Sequence, residues 1–253
     1  MTIPHHLRRL TAVQRTPEAN RQLAYVLTFI AGAVNAGGFL AVQQYTSHMS
    51  GIVSLMADHL ALGGIVVAMQ GLAALLSFLA GAASSAFLIN FGRRSRLASE
   101  FAMPLLLEAL LLVCFGLLGA NLELLRWLYV PTTVMVLCYI MGLQNAMITK
   151  VSKAEIRTTH VTGMVTDIGI ELGKLFYWNL APAEAVGLPP VRADRAKLRV
   201  LITLVSLFFV GGVAGAYSFF HFGFGSTLPL AAVLMMLAVM PIADDIRSFL
   251  LRQ

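Results

Sequence analysis

Two histidines stand in matching contexts, Ser47-His48-Met49-Ser50-Gly51 and Thr159-His160-Val161-Thr162-Gly163. Each follows an apolar run that carries an asparagine, Gly32-Ala33-Val34-Asn35-Ala36 in one case and Gly142-Leu143-Gln144-Asn145-Ala146 in the other. The asparagines are 110 residues apart and the histidines 112, so the order is kept with a two-residue insertion between the halves of the signature. This pattern is an internal duplication, and in a membrane protein duplicated polar signatures point to a site where the two halves meet.

The chemistry of the signature suits such a site. Ser47 and Thr159 are N-cap types, so each is expected to start a short helix. Gly51 and Gly163 remove a side chain one turn in. A helix N-terminus carries free amides and partial positive charge, which favours an anion. His48 and His160 could donate to a solute or carry a proton, while metal ligation would want cysteines or grouped carboxylates, which neither has beside it. Asn35 and Asn145 could contact the same solute or lock helix crossings. The expected contact set therefore also takes in Ser50 and Thr162. Small residues at these places also serve close helix packing alone, but histidine in both copies favours the site.

Ionisable groups near the signatures supply further candidates. Arg157 precedes the second copy, where the first has Gln43-Gln44-Tyr45-Thr46, and it could clamp an oxyanion or simply mark the inner surface. Asp167 and Glu171 lie four apart on the second short helix and are expected to pair with Arg157 or Lys174, or to titrate during transport. Glu108, inside an apolar run, is a costly placement and a candidate proton site.

The elements that must hold these residues are membrane helices. Hydrophobic residues make up 58% of the 253 positions and charged ones 12%, with a mean hydropathy of +0.80, which excludes an ordinary soluble domain. Six stretches, about 23–42, 65–89, 103–120, 128–148, 200–220 and 227–243, approach the roughly 20 apolar residues that a crossing needs. With the N-terminus inside, every one of the 18 Lys and Arg except Arg126 falls on the cytoplasmic side, so the net charge of +6 is topological rather than a nucleic-acid footprint. No cleavable signal peptide is expected.

The segments 48–63 and 160–176 are marginal in length for a full crossing, and letting the first one cross would move Arg93, Arg94 and Arg96 outside. Both are therefore expected to be re-entrant. The expected fold is an all-α membrane protein with six transmembrane helices, two short re-entrant helices and two inverted-topology repeats, residues 23–120 and 128–243. Cytoplasmic ends, 1–22 and 244–253, flank them. Gly81 to Ser85, and Gly211, Gly212 and Gly215, occupy corresponding spans as small-residue faces. Cys114 and Cys138 sit inside spans as packing residues.

The strings Ala31-Gly-Ala-Val-Asn35-Ala-Gly-Gly-Phe39, Ser47-His-Met-Ser-Gly51, Gly142-Leu-Gln-Asn-Ala146 and Arg157-Thr-Thr-His-Val-Thr-Gly163 resemble the YoaK-like bacterial membrane proteins, a family defined by an uncharacterised domain. The resemblance covers residues 22 to 245 and implies a bacterial inner membrane, without a substrate or mechanism. The residues themselves point to secondary transport of a small anionic solute by alternating access. The alternatives are a passive channel and an embedded structural or enzymatic subunit. No catalytic cluster, phosphate loop or cofactor fingerprint is present, so neither an enzyme nor a cofactor is expected. The expected partners are the solute and the lipid bilayer, with room for a homo-oligomer.

Overall fold

The computed structural model describes residues 17–42, 44–97, 100–120, 126–151, 160–178 and 189–250. Among them the regular structure is entirely helical: α1 (Pro17–Val42), α2 (Met49–Ala61), α3 (Ile65–Arg94), α4 (Ala102–Ala120), α5 (Arg126–Val151), α6 (Val161–Phe176), α7 (Arg195–Phe222) and α8 (Thr227–Leu250), with a 3-10 turn at Gly223–Ser226. Five stretches are long and apolar enough to cross a membrane, and the last of them, Arg195–Arg247, takes in both α7 and most of α8.

Several helices outrun the apolar stretches that announce them, for local reasons. Proline at the first position and Glu18 beside it suit a helix start, so α1 begins six residues before its apolar run. At the start of α7, Asp194 accepts from the backbone N–H of Ala196 and Lys197, both at 3.0 Å. Gly63, at φ +78°, makes the turn from α2 into α3 in a conformation that costs any other residue more.

The pairing of the long helices is reciprocal. The closest packing joins α1 to α7 and α3 to α5, while α4 lies along α8. The two short helices follow the same rule, α2 against α3 and α6 against α7. Glycines make the two main crossings close. A Cβ on Gly32 of α1 would overlap the Phe208 carbonyl of α7, and one on Gly211 of α7 would overlap the Phe29 carbonyl of α1. In the other pair a Cβ on Gly142 of α5 would overlap the Phe78 carbonyl of α3, and one on Gly81 would overlap that of Tyr139. Each contact in one pair thus has its counterpart in the other. Backbone-to-backbone approach of this kind is how small residues join helices in a bilayer.

Burial separates inner from outer helices. The most apolar window of α1 is 67% buried against 22% for α3. Leu23, Leu27 and Ile30 of α1, Leu105 and Phe115 of α4, and Leu137 and Ile140 of α5 share one core. Apolar residues such as Phe87 and Phe91 on α3 and Phe209 and Phe220 on α7 face outward, as lipid-facing positions do. Polar links cross the core sparingly: Gln144 Nε2 donates to the Leu27 carbonyl at 3.1 Å, and the Tyr139 hydroxyl to Ser84 Oγ at 2.6 Å.

A cluster of charges fastens α6 to the start of α7. Glu171 pairs with Lys174 at 2.8 Å and accepts from the Asp194 N–H at 2.7 Å, and Asp167 pairs with Lys197 at 3.1 Å. The Asp194 carboxyl is held below the ordinary aspartate value, chiefly by the hydrogen bond from the Lys197 N–H. A depressed folded value means that its stabilisation is present above the unfolded value of about 3.9 and is lost as pH falls through the folded one. Asp194→Ala should accordingly lower the melting temperature at neutral pH, with a gap from the parent that closes in strong acid. A gap independent of pH would show that the carboxylate does not cap α7.

Candidate functional site: a cavity at two short-helix starts

The residue before each short helix is the signature histidine, and in both copies its ring folds over the glycine three positions on. A Cβ on Gly51 would overlap His48 Cδ2, and one on Gly163 would overlap His160 Nδ1. The His-x-x-Gly spacing is thereby explained: each glycine leaves room for its own histidine. Neither ring caps its helix with a hydrogen bond.

The expectation that Ser47 caps α2 needs correcting. The helix begins one residue later, with His48 at the N-cap position, and Ser47 Oγ instead donates to Asn35 Oδ1 at 2.8 Å. The hydroxyl ties the segment before α2 to α1. Asn145 Nδ2 donates to the Met141 carbonyl at 3.0 Å within α5. Thr159 and Arg157 lie outside the described residues.

Both short-helix starts open onto one cavity of about 1150 Å³. From the first half it is lined by Asn35 of α1, by Tyr45, Ser47, His48 and Ser50 around the start of α2, and by Phe78 of α3. The second half contributes Asn145, Thr149 and Lys150 of α5, then His160 and Thr162, then Phe208 of α7. Every described member of the expected contact set lines the cavity except Gly51 and Gly163, which lie beneath the imidazoles.

The lining is electropositive. The first intrahelical bonds run from Ile52 to the His48 carbonyl and from Met164 to the His160 carbonyl, both at 3.1 Å. The amides before them therefore have no acceptor within their own helix, and they sit at the positive end of its dipole. Lys150 adds a full charge, its Nζ donating to Asn90 Oδ1 at 3.3 Å. No carboxylate is among the described lining residues.

Sequence reasoning missed Tyr45, Phe78, Thr149, Lys150 and Phe208. A signal for the two phenylalanines was available, because they are 130 residues apart, the same offset as Gly81 and Gly211. Tyr45, stacked on Phe39 at 4.4 Å between centroids, is the repeat-register counterpart of Arg157. Of the coupling candidates, Asp167 and Glu171 are engaged in the ion pairs beside α7. Glu108 is fully buried on α4 and outside the cavity lining, and neither of its oxygens has a hydrogen-bond partner among the described residues.

Apolar helices of this number and length, with outward apolar faces, are those of a helical multi-pass membrane protein. The chain belongs to the family described as protein of unknown function DUF1275, which matches residues 23–240 and with which the YoaK-like resemblance agrees. No curated protein and no solved structure matches it.

Proposed function

We propose that this protein is a secondary transporter of a small anionic solute, working by alternating access in the bacterial inner membrane with both termini cytoplasmic. The observation that carries the proposal is the cavity onto which both short-helix starts open, lined from both halves and with no carboxylate among its described lining residues. Reciprocal pairing of α1 with α7 and α3 with α5 supports two inverted repeats, each a long helix, a re-entrant helix and two further long helices. Movement of one pair against the other would open the cavity to each side in turn.

Two measurements test this. Purified protein in liposomes should show saturable exchange of a labelled anion across the bilayer. Flux that never saturates would favour the channel. Topology is tested by single cysteines in a background lacking Cys114 and Cys138. Replacements of Ser95 and Arg192 should resist an impermeant thiol reagent applied outside, and a replacement of Gly225 should react. Labelling at Ser95 would end the six-crossing arrangement.

A further inference from the structure

Four pairs of lining residues correspond across the two halves of the cavity wall. His48 answers His160, Asn35 answers Asn145, Ser50 answers Thr162 and Phe78 answers Phe208 across the two halves. Lys150 has no such partner, since its repeat-register counterpart is Leu40. Among the described lining residues Lys150 is the one lysine or arginine, and a solute with one charge and an uncharged body matches that lysine and the paired rings.

Resting on the transporter assignment above, we infer that the solute is a planar aromatic or heteroaromatic monocarboxylate, its ring between Phe78 and Phe208 and its carboxylate toward Lys150. The backbones of both phenylalanines are pinned, because the Phe78 carbonyl meets Gly142 and the Phe208 carbonyl meets Gly32. Both residues are thus brought to the cavity by the two main crossings, one from each half. About 1150 Å³ is far more room than a lone inorganic ion needs and suits a metabolite-sized body. Ring-on-ring contact gains more than the burial of equal apolar area, so an aromatic ring is favoured over a saturated one.

Calorimetric titration of the purified full chain with benzoate, cyclohexanecarboxylate, benzamide and acetate tests the inference. Benzoate should bind about tenfold more tightly than cyclohexanecarboxylate, as two aromatic contacts of ordinary strength would give, and more tightly still than acetate. Phe78→Leu and Phe208→Leu keep apolar bulk without the ring, and each should shrink the preference for benzoate while leaving cyclohexanecarboxylate affinity nearly unchanged. Equal binding of the two ring acids to the parent, or a preference that survives both leucine variants, would overturn the ring clamp. Anion transport would stand in that case provided benzamide binds much less tightly than benzoate. If benzamide matches benzoate, or none of the four binds, the anion assignment falls together with the clamp.

Discussion

Gly142→Ala yields a protein that melts well below the parent and is recovered poorly as a monodisperse species. Alanine in place of glycine inside a helix ordinarily helps by about 1 kcal/mol. Here the added Cβ would overlap the Phe78 carbonyl, and both atoms belong to the backbones of long helices, so no rotamer change relieves the clash. Separating α3 from α5 is the remaining way out. That would weaken the 2.6 Å bond from Tyr139 to Ser84 and shift Phe78, Asn145 and Lys150 together. The expected loss exceeds the roughly 1–3 kcal/mol of an overpacked side-chain core. Gly32→Ala should do the same through Phe208. Gly169→Ala on α6, where a Cβ would meet nothing within 4 Å, is the control. Thermal melts followed by size-exclusion chromatography decide the matter, and a Gly142→Ala protein as stable as the Gly169→Ala control would contradict the close crossing.

Lys150→Gln lowers the affinity for every bound anion by about ten- to a hundredfold, the range expected for a charge-assisted hydrogen bond of roughly 1.5–3 kcal/mol. Insertion and melting should be near those of the parent, because among the described residues Lys150 reaches only the exposed Asn90 on the neighbouring helix. Lys150→Arg should retain most of the affinity. Unchanged binding of benzoate and acetate by Lys150→Gln would reduce the residue to a marker of the inner surface. The same titration on Arg157→Gln tests the cation that the signature brings forward.

The helices were legible because they rest on local pattern. Apolar runs give α1, α3, α4, α5, α7 and α8, and the repeated His-x-x-Gly gives the starts of α2 and α6. The ends were less legible, since Pro17 and Asp194 extend α1 and α7 through capping rather than hydropathy. Phe78 and Phe208 went unnoticed for a different reason. Their importance depends on which long helix packs on which, and nothing in a run of apolar residues says that α1 meets α7 rather than α3. Lys150 was hidden by its own plausibility as one more cytoplasmic charge. Glu108 shows the opposite case: an unusual residue for its surroundings, visible in the sequence and buried in the structure, yet outside the cavity that gathers the signature residues.

The reciprocal crossings also set a timetable for biogenesis. α1 ends at Val42 and its principal neighbour does not begin until Arg195. At 5–20 residues per second, ribosomal synthesis of the intervening chain takes on the order of ten to thirty seconds. Throughout that interval the first helix waits in the bilayer with its glycine notch occupied by lipid or by the insertion machinery. α5 comes to a finished partner, because α3 is already in place when it emerges. One crossing therefore closes soon after its second helix is made, while the other stays open until nearly the whole chain has left the ribosome, and a nascent chain that stalls before Arg195 exposes an unfilled seam to membrane proteases.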